Sequence, residues 1–247
     1  PLYFYLFIFI KKKSKSIYRK KPYKKNLFIF GSLFGFGFYF SGIYWINYSL
    51  TFDQSFKILI PIGLIVIPLF LSLFFSLTTI LVGPFLSLNF SSILLFSASL
   101  AFSDFIRSKI LTGFPWNLWA YSFSWATEVI QILNIIGLFA FNLITITFFL
   151  VPVIIIFNIS LIKKSVAVFS AFLLILVLYI FGNHTINKNN NYLSKVDEKF
   201  YIKVISPNFD LKYGLTQDEI LSRLQKLIKY SEPTENLKTL FIWPEGV

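Results

Sequence analysis

Five long apolar runs, each carrying one charged residue or none, constrain what this chain can become. They occupy residues 27–50, 56–82, 89–106, 129–157 and 165–182, and an apolar stub at 1–10 reads as the end of an earlier run. A helix of about 20 residues crosses roughly 30 Å of hydrocarbon, and helices or closed barrels alone satisfy every backbone polar group there. The runs are too long and too evenly apolar for strands. With 56% hydrophobic residues against 14% charged ones, the chain has the profile of a polytopic helical membrane protein.

The charge is unevenly placed. A formal net charge of +12 suggests a nucleic-acid partner until its distribution is considered: residues 11–25 hold nine Lys or Arg and no acid, whereas 183–247 is nearly balanced. A basic loop between apolar spans is an anchor against anionic headgroups, and no basic face interleaved with aromatics points to nucleic acid. Under the positive-inside bias 11–25 is cytoplasmic, and four crossings later the chain returns to that side at Lys163 and Lys164, the only other basic pair between spans. The last span then delivers everything after Gly182 to the opposite face, which is the periplasm in a cell with two membranes. Zero cysteines exclude disulfides and a thiol nucleophile among these 247 residues. His184, the single histidine, has no partner for a dyad or metal site and is assigned no function.

Beyond the spans the composition becomes that of a soluble domain. Residues 1–182 form the membrane domain, 183–198 a polar linker containing Asn-Lys-Asn-Asn-Asn, and 199–247 the start of the soluble domain. Residues 200–205 and 237–243 read as strands. Between them Thr216 and Glu219 have the spacing of a capping box, and Ile220, Leu221, Leu224, Leu227 and Ile228 fall on one helical face. Strand, helix and strand in this order build a parallel sheet with a right-handed crossover, whose functional groups gather at the carboxyl ends of the strands. Pro244 ends the second strand and places Glu245 at its edge. On the residues alone, Glu245 is either a partly buried general base or an exposed loop glutamate.

Nearer the membrane, Asp104 and Arg107 stand three apart, so an ion pair is geometrically easy. The alternative is a helix end at the outer interface whose charges, with those of Lys109 and Glu128, snorkel to water. Trp116, Trp119, Tyr121 and Trp125 form an interfacial aromatic belt in either case. Gly31, Gly35, Gly37 and Gly42 have spacings that permit close helix packing.

Several ordered segments carry a family resemblance. Trp243-Pro244-Glu245 is similar to the glutamate motif of the nitrilase, or carbon-nitrogen hydrolase, superfamily. Gly113-Phe114-Pro115-Trp116, with Ser103-Asp104-Phe105-Ile106-Arg107 before it and Ala120-Tyr121-Ser122 after it, resembles the Leu-Thr-Gly-Phe-Pro-Trp segment of apolipoprotein N-acyltransferases. Gly35-Phe36-Gly37 and Gly42-Ile43-Tyr44-Trp45 resemble that family's early glycine- and aromatic-rich span. Pro207-Asn208 and then Leu211-Lys212-Tyr213 sit where the family has a Gln-Gly-Asn or Gln-Pro-Asn turn and a Lys-Trp pair, with Tyr213 departing from its Trp.

The resemblance implies a multi-span α-helical membrane domain followed by the first strand-helix-strand unit of an αββα, nitrilase-like α/β domain on the outer face of the inner membrane. It implies acyl transfer from a phospholipid, phosphatidylethanolamine in such bacteria, to the amine of a diacylated apolipoprotein through a thioester. Glu245 is then the general base of a Glu, Lys and Cys triad, with the lysine and cysteine expected after residue 247. Tyr213 and Trp116 are the implied substrate-side aromatics, close to lipid. No cofactor or metal is implied. Because the chain starts at Pro1 and lacks the rest of the triad, it is read as a fragment at both ends, inactive by itself. A membrane-anchored amidase of the same superfamily is a rival, and a transporter fragment is another, although the paired interrupted helices of an internal repeat are not seen. A periplasm-dependent reporter fused after Val247 is expected to be active; cytoplasmic behaviour would overturn the span count.

Overall fold

The structure, a computed structural model, describes residues 1–17, 23–110, 113–195, 200–210, 214–234 and 237–244, with backbone alone at 13–17 and 23. The membrane portion consists of α1 (Leu2–Ile17), α2 (Tyr23–Ile43), α3 (Ile60–Val82), α4 (Phe90–Arg107), the single turn α5 (Thr127–Ile130), α6 (Leu133–Leu150) and α7 (Leu161–Leu193). Five helical segments among the described residues are long and apolar enough to span a bilayer, one for each expected run.

Local chemistry sets where these helices change character. After Ile43 the chain tightens into 3₁₀ turns through Thr51. There Asn47, Ser49 and Thr51 each donate a side-chain hydrogen bond to the carbonyl three residues earlier, competing with the α-helical ladder. Asn89 caps α4 by accepting from the Ser92 backbone N–H at 2.8 Å. The run expected as one span over 129–157 is interrupted. It is divided into α5, α6 and a 3₁₀ segment at Val151–Ile156, and Gly137 inside α6 has a φ of 76° that breaks the helical path.

The polar segment expected as a linker from residue 183 is helical as far as Leu193. With 33 residues α7 is about 50 Å long, well beyond the hydrocarbon thickness. Thr185, donating to the Phe181 carbonyl, and Asn187, donating to the Asn183 side chain, support the helix past the apolar stretch.

Inside a bilayer the hydrophobic effect does not drive helix against helix, so close packing and hydrogen bonds must. The α2–α3 seam meets this requirement with small residues. A Cβ on Gly31 would come within 2.8 Å of the Ser76 Cα, and one on Gly35 within 2.9 Å of the Ser72 Cα. Ser32 and Ser76 share a 2.7 Å hydrogen bond, and Thr79 donates to the Leu27 carbonyl. Gly42 serves a different contact, against Asn117, while Gly37 faces open space and takes no part in packing.

The stub expected over 1–10 is a helix reaching Ile17, and it is central to the core. Phe4 and Phe7 are fully buried, and Tyr3 stacks on Phe34 with ring centroids 3.8 Å apart. Lys11, read as part of a headgroup-facing loop, instead lies buried, its ammonium donating to the carbonyls of Pro84 and Leu86 at 2.8 and 2.6 Å. The turn after α3 offers carbonyls without N–H partners, and a cation at a helix C-terminus satisfies them.

The C-terminal segment forms the expected unit. Strands β1 (Tyr201–Val204) and β2 (Thr239–Ile242) pair in parallel, from Tyr201 opposite Thr239 to Val204 opposite Ile242. Helix α8 (Gln217–Ser231) lies between them in sequence and begins with the expected capping box of Thr216 and Glu219. Leu227 is fully buried, but Ile220, Leu221 and Ile228 from the same predicted apolar face remain exposed, because two short strands cover only part of it.

Substituting Gly35→Leu is expected to lower stability by about 1–3 kcal/mol through forced separation of α2 and α3. Gly37→Leu should be close to neutral. Denaturation of the purified protein in detergent checks both, and equal losses would contradict the seam.

Candidate functional site

At the end of α4 opposite Lys11, a charged cluster is sealed inside the bundle. Asp104 and Arg107 are 4% and 1% exposed, so neither snorkels to water. They form the ion pair that their spacing permits, at 3.1 Å. The guanidinium also donates to the carbonyls of Phe114 and Trp116 at 2.6 and 2.8 Å, and lies near the rings of Tyr39 and Phe114. The second carboxylate oxygen of Asp104 accepts from the Asn142 amide at 2.9 Å, while the Asn142 carbonyl accepts from the Ala120 backbone N–H at 3.0 Å.

This arrangement converts one charge pair into a clamp on the Gly-Phe-Pro-Trp segment. Gly113 makes the required turn at φ 79°, where a Cβ would meet the Ser108 carbonyl oxygen at 2.6 Å. Phe114 N–H then donates back to the Arg107 carbonyl. Trp116 is consequently fixed by its backbone while its side chain remains 52% exposed, edge-on to Trp45 at 5.8 Å. Trp125 and Tyr121 are exposed as expected of a belt, but Trp119 departs from it by turning inward to stack on Phe38 at 4.9 Å. With one carboxylate oxygen on the guanidinium and the other on the amide, Asp104 joins Arg107 to α6, and the cluster holds the Gly-Phe-Pro-Trp segment in place.

Asn142 was not identified from the sequence. Its signal was an amide in the middle of an otherwise uncharged span, where an unpaired polar group is costly and usually has a helix-to-helix partner. Tyr39, which covers the guanidinium, carried no such signal among so many aromatics.

The second arrangement is the carboxyl edge of the small sheet. Glu245 and Tyr213 lie outside the described residues, so the geometry concerns the positions that lead to them. The last ladder bond joins the Ile205 N–H to the Ile242 carbonyl, and Pro244 follows one residue after the Trp243 indole, which donates to Ser231 Oγ at 2.9 Å. After β1, Pro207 and Asn208 turn at the same edge, with Asn208 at φ 52°. Lys226 of α8 donates to the Pro207 carbonyl and Arg223 to that of Asp210, with Phe209 beneath both cations. Both sequence motifs are therefore anchored to α8 side by side. Among the described residues no group of three His, Cys, Asp or Glu could hold a metal ion.

Replacing Arg107 with Met leaves a buried carboxylate without its cation and should cost about 3–5 kcal/mol. Asn142→Leu, which strands one carboxylate oxygen and one backbone donor, should cost about 1–3 kcal/mol. Thermal denaturation of the purified variants measures the order, and an Asp104→Leu, Arg107→Met double variant should recover part of the Arg107 loss.

Comparison with known proteins places the membrane cluster in a familiar setting. The profile of the apolipoprotein N-acyltransferase N-terminal domain matches residues 2–151, which include Tyr39, Asp104, Arg107, Trp116 and Asn142. The chain is 30% identical over 218 residues to the apolipoprotein N-acyltransferase of Rickettsia typhi and 31% identical over 220 residues to that of Rickettsia prowazekii, covering 88% of this chain and 42% of each relative. The protein of that name from Rhodopseudomonas palustris is 27% identical over 229 residues, covering 87% of this chain and 41% of its own length. The chain thus spans about two fifths of the length of these curated relatives. No solved structure matches it. With the family profile covering well over half of its residues, the chain belongs to the apolipoprotein N-acyltransferase family.

Proposed function

We propose that the full-length protein transfers an acyl chain from a phospholipid to the N-terminal amine of a diacylglyceryl-cysteine lipoprotein. The observation that carries this is the family's membrane domain followed by a parallel strand that ends at Ile242 and runs on into Trp243-Pro244, with Glu245 next in sequence. In this proposal the C-terminal unit opens a nitrilase-like αββα domain in the periplasm, and the membrane is the inner membrane. The basic end of the bundle, with Lys11 and Lys163, is then cytoplasmic.

Glu245 takes the proton of a cysteine thiol supplied beyond residue 247. The thiolate attacks the donor's ester carbonyl, a thioester forms, and the lysophospholipid leaves as its alcohol by taking the proton from Glu245, which is again a carboxylate. The lipoprotein amine then gives its proton to the same carboxylate as it displaces the thiol and forms the amide. A lysine, also beyond residue 247, stabilises the oxyanion of both steps. Phosphatidylethanolamine is the proposed donor, and Trp116 and Tyr213 are proposed to contact the acyl chains. Both substrates are anchored in lipid, so a site at the bilayer surface turns an encounter within the membrane into a positioned reaction. Residues 1–247 alone are then inactive.

Glu245→Gln in the full-length protein should reduce lipoprotein acylation by at least 100-fold, the scale of a lost general base, with membrane insertion unchanged. Acylation is followed by the mass of a lipoprotein substrate. Retained activity would reject the base assignment.

A further inference from the structure

Helix α7 stands apart from the helices that it accompanies. Near its outer end Gly182 presses against the Glu128 carbonyl, and at its start Lys164 donates to the Ile155 carbonyl at 2.6 Å. Along residues 162–174 α7 shares an apolar cavity of about 880 Å³ with α4 and α6, beside the contact of its Phe172 ring with that of Phe148 on α6. Its walls come from Leu94 and Ala98 of α4, Leu143 of α6, and Ala167 and Ala171 of α7. Ala98, Ala167 and Ala171 take up little of the space between the walls. The volume falls in the range of about 300–1,000 Å³ common for bound small molecules.

Charge defines one mouth of this cavity. Asn89 and Lys163 line it at the end of the bundle where α4 and α7 begin. Of the acids in residues 1–182, Asp53 follows the outer end of α2, Asp104 lies in the last turns of α4 and Glu128 meets Gly182, so all three belong to the other end. Lys163 consequently faces no acid of the membrane portion. Two apolar walls held apart inside a bilayer are filled by hydrocarbon, and a lysine at the rim favours a headgroup with net negative charge by about 1 kcal/mol.

We propose that this cavity is a binding site for an anionic phospholipid of the leaflet at the basic end, with its acyl chain between α7 and the α4–α6 pair and its phosphate on Lys163. The site opens at the end of the bundle away from Trp116 and is separate from the proposed acyl-transfer site. Its lipid is a structural filler, not the acyl donor. The inference needs the protein to sit in a bilayer but does not depend on which face is cytoplasmic or on the role of Glu245.

Native mass spectrometry of the full-length protein, released from nanodiscs containing equal phosphatidylglycerol and phosphatidylethanolamine, tests the proposal. Phosphatidylglycerol should be retained preferentially. Lys163→Gln should lower that retention about fivefold, the equivalent of about 1 kcal/mol, whereas Lys188→Gln, on the polar extension of α7, should leave it unchanged. Ala171→Phe, which fills the cavity without altering charge, should reduce retention of both lipids, and its helical content and thermal midpoint monitor folding. Equal retention of the two lipids by the parent protein, or parent-like retention by both Lys163→Gln and Ala171→Phe, would overturn the assignment. A lipid lost together with acylation in Glu245→Gln would show that the two sites are one.

Discussion

A guanidinium group enclosed by protein within a membrane bundle has no access to water, and leaving it there without partners is costly. Arg107 meets that cost by engaging one carboxylate and two backbone carbonyls at once. The path of the chain from α4 to α6 follows from it. Residues 113–116 must turn back over the end of α4 to offer their carbonyls, and the 3₁₀ segment at Trp119–Phe123 must approach α6 closely enough for the Ala120 N–H to reach Asn142. A buried ion pair by itself is weak support for stability. Here it is the hub of a network in which each further bond fixes another stretch of chain, and it leaves the Trp116 ring at the surface in a defined position.

Length and nearly unbroken apolar character made the membrane portion legible, since such a run has few alternatives in lipid. The strand-helix-strand unit was legible for a different reason: Thr216, Glu219 and Pro244 are punctuation whose meaning is local. What remained hidden depended on residues far apart in sequence. Lys11 was indistinguishable from its basic neighbours until Pro84 and Leu86 were seen to offer it carbonyls. Asn142 lacked meaning without Asp104, 38 residues away. Trp119 and Trp116 look alike in a sequence, yet one stacks inside and the other is exposed, with the chain turning between them at Asn117, whose φ is 61°. The continuation of α7 through an asparagine-rich stretch was hidden for the opposite reason. Composition suggested flexibility, while the preceding helix supplied the nucleus that a short polar segment could not form alone.

The two halves of the bundle are held by different means. Glycine, serine and threonine bring α2 and α3 so close that backbone approaches backbone, and aromatic rings from α1 fill the space above them. Alanines on α7 line an open space instead, across from α4 and α6. Small side chains therefore have opposite consequences within one protein. Where two helices are pulled together by hydrogen bonds they permit contact, and along the first half of α7 they leave a gap.

Every member of the Arg107 network precedes α7 in the chain, with Asn142 the last of them. During synthesis the network can therefore close as soon as α6 has entered the bilayer; its last residue is Leu150, and the next helix begins 11 residues later, at Leu161. A charged residue is exposed to lipid only for the interval between the arrival of α4 and that of α6. Helix α7 then joins a bundle whose buried ion pair is already enclosed.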